Sequence, residues 1–369
     1  MSSKQGYFSR LDTLRFFAFF AVFISHVAYF MNFPAGVWRR GTLSNSFLQL
    51  GSLGVSFFFV LSGFLITHHL GKEHLSRKTI SIKNFYIKRV LRIWPLYFLA
   101  LALAAILSST PLLRKIAPVN YKEFLAYIFL LGNWFRAFYG SANEMLSVLW
   151  SIAVEEQFYL FWPLVFFLFR KKINWPIFLG VAITFIFRWV YAGNYDVREY
   201  FSPCLITYFM IGGFYAIYAE SINKKISRLK GFGTIIGFLW LAALLALRGL
   251  VFKGDYPNWF AGLEPLLYGV SFVLFIGHAV EHSQKPYLFS SVFEYLGKIS
   301  YGLYVFHMMV FMVVKSLIGG EGFASFAMVF CSSLALTIIV SAISYKFWEK
   351  PFLALKHRFT FKDEATLSY

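Results

Sequence analysis

Apolar runs of about 20 residues recur along the whole chain, and short stretches carrying Lys, Arg, Asn or Gly separate them. A helix of about 20 apolar residues is long enough to cross the hydrocarbon core of a bilayer. No long polar segment divides the runs into a second, water-exposed domain. The pattern therefore predicts an all-α, polytopic integral membrane bundle of about ten transmembrane helices, at 11–31, 50–69, 89–108, 146–169, 175–192, 201–220, 231–250, 261–280, 299–317 and 323–345.

The segment 122–139 is apolar and aromatic but short, and it contains Gly132, Asn133 and Arg136. The positive-inside rule tests whether it crosses, because one more crossing would invert every later loop. With ten crossings, 23 of the 35 Lys and Arg residues lie on the side of the N-terminus and 10 on the other side. We therefore predict that both termini are cytoplasmic. Segment 122–139 is then a re-entrant or interfacial element on the outer side, either part of a lid or acceptor groove or an ordinary interfacial helix.

The composition agrees with a lipid environment, since 59% of the residues are hydrophobic and only 14% are charged. The net charge of +18 does not indicate a nucleic-acid partner, because the cations cluster between apolar runs as membrane topology requires. Cys204 and Cys331 lie in separate apolar segments without the spacing of a metal or redox motif. Membrane lipids are the expected surroundings, and no metal site is predicted.

Three ionisable residues share one face of the first predicted helix. Arg15 and His26 are 11 residues apart, which returns to nearly the same face at about 100° per residue, and Asp12 lies close to that face. A charge facing lipid is costly, so such residues usually face a cavity or a partner. We expect His26 to be functional. Asp12 and Arg15 either set its orientation and charge or form an interfacial ion pair.

A second polar face lies on the fourth predicted span, where Ser147, Ser151, Glu155 and Tyr159 recur every four residues. Its position along the helix could bring Glu155 near His26. The candidate catalytic set is therefore His26, Asp12, Arg15 and Glu155.

The candidate binding residues come from the second and third spans. Three cations, Lys88, Arg89 and Arg92, lie at the start of the third span. They either bind phosphate groups or are present only because cytoplasmic loops are rich in Lys and Arg. Ser62 and Gly63 lie among bulky aromatic residues, where small side chains allow close helix packing or leave room for a narrow ligand.

His307 lies in mid-span after Tyr301, and the two residues form a possible further site. His307 could be a second proton-transfer group or a hydrogen-bonded contact between helices.

In order and spacing, these motifs resemble the acyltransferase 3 family of membrane O-acyltransferases over essentially the whole chain. The matching segments are residues 11–15 followed by His26, FFVLSGF at 58–64, RVLR at 89–92, Asn133-Trp134, LWSIAVEEQFY at 149–159, SYGLYVFH at 300–307 and FWEKPF at 347–352.

This resemblance implies a multi-pass enzyme of a cell membrane, expected to be a bacterial inner membrane. It implies acyl-CoA, with acetyl-CoA expected, as a donor that approaches from the cytoplasm, and no permanently bound cofactor. The acceptor would be a hydroxyl of a cell-envelope glycan or a lipid-linked sugar. We expect a single domain over 1–358 and a short cytoplasmic tail at 359–369, too short for the appended hydrolase-like domain of some members.

The resemblance also suggests roles for the candidate residues. Arg89, Arg92 and Lys88 would hold the coenzyme A phosphates, and the pantetheine arm would pass Ser62 and Gly63. His26 would then act as general base or form a transient acyl-histidine.

The rival interpretation is a secondary transporter of a sugar or organic acid. In that case Arg15, His26 and Glu155 would form a proton relay through the bundle. The chain shows no inverted repeat that would support transport. Release of free coenzyme A from labelled acetyl-CoA by the purified protein would distinguish the enzyme from the transporter.

Overall fold

The computed structural model describes residues 8–359 apart from 32–42, 116, 119, 142, 230–231, 248–256, 284–288 and 321. Within these residues the chain is helical and contains no β-strand, as the sequence predicts. The α-helices are α1 (Ser9–Phe30), α2 (Leu43–Arg77), α3 (Ile82–Ser109), α4 (Tyr121–Ile128), α5 (Gly132–Tyr139), α6 (Glu144–Ser147), α7 (Trp150–Phe169), α8 (Asn174–Val190), α9 (Tyr195–Tyr200), α10 (Ile206–Ile226), α11 (Phe232–Ala246), α12 (Asn258–Glu281), α13 (Ser290–Lys298), α14 (Ser300–Ile318), α15 (Gly322–Ser344) and α16 (Lys350–Leu355).

Within the described residues, seven helical segments are long and apolar enough to cross a membrane, and they correspond to seven of the ten predicted spans. These segments are Ser9–Phe30, Gln49–Arg77, Ile82–Ser109, Glu144–Phe169, Asn258–Glu281, Ser300–Ile318 and Gly322–Leu355. The apolar helix α8 has 17 residues, about 25 Å at 1.5 Å per residue, and α10 and α11 form a bent pair. The multi-pass helical membrane fold is thus confirmed. The count of ten and the cytoplasmic termini stay predictions, and the predicted tail lies outside the described residues beyond Phe359.

Segment 122–139 forms two short helices instead of one span. The side chain of Asn120 begins α4 by accepting hydrogen bonds from the backbone N–H groups of Lys122 (3.0 Å) and Glu123 (3.3 Å). Helix α5 ends at Gly140, whose positive φ of 75° suits glycine. Each helix has 8 residues, too few to cross a bilayer, and the role of the segment stays a prediction.

Helices α2 and α10 pack closely because glycines face the opposite backbone. A Cβ atom added to Gly63 would lie 2.1 Å from the Phe209 carbonyl oxygen, and one added to Gly212 would lie 1.9 Å from that of Val60. Such approaches require small residues, as in many membrane helix pairs. Gly63 therefore faces α10, as the helix-packing interpretation expects, and its role beside a ligand stays a prediction.

The outer face of the bundle is apolar, while charged groups are buried inside it. Large side chains such as Phe161, Leu168 and Trp175 remain exposed, as expected for helices surrounded by lipid. Inside, Arg188 of α8 forms an ion pair with Glu264 of α12, and its guanidinium also donates to two backbone carbonyls. Full hydrogen bonding is what allows a charged pair to remain in such an environment.

Candidate active site

His26 of α1 and His307 of α14 form a hydrogen-bonded pair in the interior. His26 Nδ1 lies 2.9 Å from His307 Nε2, and the two ring planes are within 10° of each other. The ring centroids are 5.2 Å apart. This distance is close to the sum of the N···N distance and the two ring radii, so the two rings lie side by side and the hydrogen bond lies in their common plane. His307 is fully buried, and the rings of Phe19 and Phe23 pack edge-on against it.

The hydrogen bonds of His307 determine which nitrogen of each ring carries the proton. His307 Nδ1 lies 2.6 Å from the carbonyl oxygen of Tyr304, and a carbonyl can only accept. Nδ1 therefore carries the proton of a neutral His307, and its Nε2 accepts the hydrogen bond from His26 Nδ1–H. The lone pair of a neutral His26 is consequently on Nε2, the nitrogen required for a general base or nucleophile.

Glu155 belongs to a separate cluster between α2 and α7. The Ser62 hydroxyl donates to Glu155 Oε1 at 2.9 Å, and the Tyr159 hydroxyl donates to Glu155 Oε2 at 3.1 Å. The Tyr159 hydroxyl oxygen also lies 3.0 Å from Ser62 Oγ, so the three side chains contact one another. The structure therefore places Ser62 and Glu155 together, whereas the hydrogen-bond partner of His26 is His307.

The polar face of α7 connects this cluster with the histidine pair. Two turns from Tyr159, Ser151 Oγ is 2.8 Å from the hydroxyl of Tyr304, the residue whose carbonyl binds His307. Tyr159 and Ser151 are about 12 Å apart along the helix. We call this row of polar groups the polar line. It runs from Tyr159 through Glu155, Ser151 and Tyr304 to His307.

Cations collect at the Tyr159 end of the polar line. The Arg89 guanidinium lies 5.3 Å from the centroid of the Tyr159 ring, and Arg92 follows one turn later on α3. Lys88 is the neighbour of Arg89, and Lys356 lies within electrostatic range of all three α3 cations. We call Lys88, Arg89, Arg92 and Lys356 the basic end of the site. A cluster of this kind suits a phosphorylated ligand.

Asp12 and Arg15 lie beside the basic end and not at the histidine pair. Their side chains form an ion pair of 2.5 Å, as one of the two interpretations of the sequence expects. Both act electrostatically on Arg92. They share a helical face with His26, but 11 residues separate Arg15 from His26, about 16 Å along the axis.

Tyr301 fixes α14 against α3 by donating its hydroxyl hydrogen to the carbonyl oxygen of Ile93 at 2.8 Å. Ile93 is the neighbour of Arg92, so this bond helps to position the basic end.

Within the described residues, no group of three His, Cys, Asp or Glu side chains has the arrangement of a metal site.

Arg136 and Tyr200, which the sequence did not single out as site residues, lie toward the other end of the polar line. The Arg136 guanidinium is 4.4 Å from the centroid of the Tyr200 ring and donates to the Ser147 carbonyl at 3.2 Å. Arg136 contributes positive potential at His26. Burial raises the pKa of the Tyr200 phenol, which therefore keeps its proton. The sequence did contain one indication of this region, the Asn133-Trp134 motif. In the structure, the Asn133 amide donates a hydrogen bond to the Tyr200 carbonyl at 2.9 Å.

Comparison with known proteins gives a consistent result. A family model described as an acyltransferase domain matches residues 8–346. A Staphylococcus aureus (strain COL) protein, whose name describes it provisionally as an O-acetyltransferase, is 30% identical over 95% of this chain and 58% of its own length. The O-acetyltransferase OatA of Staphylococcus aureus (strain NCTC 8325) is 28% identical, over 94% of this chain and 57% of its own. The peptidoglycan O-acetyltransferase OatA of Listeria monocytogenes is 24% identical, over 94% and 56%.

The chain thus spans a little over half the length of the curated relatives it matches. No solved structure matches the chain.

Proposed function

This chain belongs to the acyltransferase 3 family, and we propose that it is an acyltransferase that moves an acetyl group from acetyl-CoA to a hydroxyl of a cell-envelope glycan or lipid-linked sugar. The names of its relatives support acetyl as the group transferred, and one of them acts on peptidoglycan. The comparisons give no support to the alternative of a secondary transporter.

The histidine pair carries the proposal. Its hydrogen bonds leave the lone pair of a neutral His26 on Nε2, on the far side of the ring from His307, which supports a role for that nitrogen in the reaction. In the proposed reaction, His26 Nε2 takes the proton of the acceptor hydroxyl while that oxygen attacks the thioester carbon. The C–S bond then breaks, and the coenzyme A thiolate leaves with the proton from His26. His307 stabilises the transient positive charge on His26 by accepting its Nδ1–H.

The same lone pair also serves a covalent route. His26 Nε2 would attack the thioester carbon and release coenzyme A, and the acceptor hydroxyl would then take the acyl group from the imidazole. Rapid quenching of the enzyme in neutral denaturant, with labelled acetyl-CoA and no acceptor, separates the two routes, because an acyl-imidazole would be lost in acid. Label that stays on the wild-type chain, but not on His26→Gln, identifies an acyl-histidine, and absence of label identifies direct transfer.

The basic end is the proposed donor site. Arg89, Arg92 and Lys88 would hold the coenzyme A phosphates from the cytoplasmic side, and the pantetheine arm would follow the polar line past Tyr159 and Ser62 to His26. Arg136 and Tyr200 lie at the other end, where the acceptor would enter. Donor and acceptor would then approach His26 from opposite sides of the membrane.

We predict that His26→Gln reduces acetyl transfer about 10²- to 10⁴-fold, because glutamine is polar but cannot accept the proton. Donor affinity should be nearly unchanged, since the phosphate contacts lie at the basic end. The assay measures coenzyme A release and acetyl ester formation by purified protein in liposomes.

His278→Gln is the matched control for this experiment. His278 lies on α12 and stacks on His282, outside the proposed site, so the variant should keep its activity. Transfer by His26→Gln at a near wild-type rate would remove His26 from the chemistry.

A further inference from the structure

The chain after α15 returns to α3 beside the basic end. It forms a wide helical turn at Tyr345–Glu349, then α16, then a single turn at Lys356–Phe359, and all three pack against α3. The indole N–H of Trp348 donates to the Pro95 carbonyl at 3.0 Å, which fixes the register of the two segments.

The register explains why Lys356 meets the α3 cations. Trp348 and Lys356 are 8 residues apart, about 12 Å of helix, and Pro95 and Arg89 are 6 residues apart, about 9 Å. The two segments run in opposite directions, so these distances bring Lys356 alongside Arg89 and Lys88. Of the three α3 cations, Arg92 acts most strongly on Lys356, and Glu349 lies within electrostatic range of Arg92.

Lys356 and the three α3 cations repel one another at the basic end. Burial lowers the pKa of Lys356 from its ordinary value to about 7, and the positive charges of Arg92, Arg89 and Lys88 add to this effect. Four cations in one partly buried place repel one another, and an anion bound between them relieves that repulsion. Lys356 is therefore placed to contact a ligand of high negative charge.

The direction of the donor indicates which phosphate Lys356 would meet. Coenzyme A carries a pyrophosphate next to its pantetheine arm and a separate phosphate at the ribose 3′ position. Arg89 lies against Tyr159, where the polar line begins, and is thus close to the path of the pantetheine arm. Lys356 approaches from the C-terminal turn, away from that path, where the nucleotide end of the donor would remain.

We propose that Lys356 binds the 3′-phosphate of the coenzyme A donor at the entrance of the site, while Arg89 and Arg92 take the pyrophosphate. This assignment rests on the proposed function, because it requires coenzyme A at the basic end. It makes Lys356 a specificity residue that distinguishes coenzyme A from carriers without a 3′-phosphate.

Calorimetric titration with coenzyme A and with 3′-dephospho-coenzyme A tests this proposal. Wild-type protein should bind coenzyme A about tenfold or more tightly than the dephospho form, and Lys356→Met should lose most of this preference. Affinity for the dephospho form should change little, since its pyrophosphate is held elsewhere. Lys350→Met is the matched control, because Lys350 lies exposed on the same segment and should leave the preference intact.

The pH dependence of binding gives a second readout. The bound phosphate raises the pKa of Lys356 above about 7, so binding takes up a proton at higher pH. The preference of the wild type for coenzyme A should therefore fall as pH rises above 7, by up to about tenfold per pH unit. Lys356→Arg should remain charged and keep its preference at pH 9, and Lys356→Met should show no such fall.

The outcomes separate this proposal from the one on which it rests. If the wild type binds neither compound, the proposed donor is wrong and Lys356 has no phosphate to bind. If the wild type prefers coenzyme A and a folded Lys356→Met keeps the full preference, the role of Lys356 is wrong while the donor site stands. Thermal unfolding of each variant in the same detergent shows that the comparison is between folded proteins.

Discussion

At the scale of single residues, His307 contacts His26, and in the proposed reaction it would hold that base in position. It receives the Nδ1–H of His26 and is itself fixed by the Tyr304 carbonyl. We predict that His307→Leu lowers kcat about 10- to 100-fold, as loss of an orienting partner commonly does, while the donor KM stays near that of the wild type. Steady-state kinetics with acetyl-CoA measures both quantities.

His307→Gln serves as the conservative comparison. A glutamine oxygen can still accept the His26 Nδ1–H, so part of kcat should return relative to His307→Leu. A purely structural role would not produce this rescue. If His307→Leu instead raised the donor KM and left kcat unchanged, His307 would not position the base.

The sequence identified both histidines as residues too costly to lie in a membrane without a purpose, but it did not pair them. Their contact joins positions 281 residues apart, and helical periodicity describes only the face of one helix. The same limit explains why the sequence grouped Asp12 and Arg15 with His26. They share a face with His26, but the distance along the axis keeps them at the basic end.

At the scale of helices, the contact of α2 with α10 determines where Ser62 lies. Ser62 faces Glu155 because its neighbour Gly63 is pressed against the Phe209 backbone. We predict that Gly63→Ala destabilises the protein by about 1–3 kcal/mol, since the new methyl group meets a carbonyl oxygen that cannot move alone. Thermal unfolding in detergent measures this loss.

Gly71→Ala on the same helix is the control, because no atom lies within 4 Å of the added Cβ. It should leave the stability of the protein unchanged or slightly raised, as alanine favours helix. Equal melting temperatures for the two variants would show that the close packing at Gly63 contributes nothing measurable.

Helices were the most predictable feature, since seven predicted spans recur as long helices in the described residues. The region 201–250 was less predictable. Its apolar runs are continuous enough for two spans, but hydrophobic periodicity does not indicate that α10 and α11 lie at 93° to each other. For 122–139, the charge balance excluded a full crossing, and the two short helices depend on local signals such as the Asn120 cap.

At the scale of the whole molecule, the site has two different ends. Lys88, Arg89, Arg92 and Lys356 gather at one end of the polar line, and Arg136 with Tyr200 lies toward the other. Such an arrangement suits a reaction whose donor and acceptor arrive from opposite sides of a membrane. With coenzyme A as the proposed donor, the orientation of the bundle becomes part of the proposed mechanism, because cellular coenzyme A is cytoplasmic.

We therefore predict that the basic end faces the cytoplasm and the tip of α5 faces outward, as the distribution of Lys and Arg along the chain requires. Single cysteines at Lys172, Lys350 and Tyr139 test this, since all three side chains are exposed. The exposed Cys331 is first replaced by serine, and the buried Cys204 is kept.

An impermeant thiol reagent should label Tyr139→Cys in intact cells. It should label Lys172→Cys and Lys350→Cys only in inverted vesicles. Labelling of Lys172→Cys alone from outside would refute the ten-span arrangement. Labelling of both lysine positions from outside would place the basic end away from the cytoplasm, and coenzyme A could not be the donor that enters there.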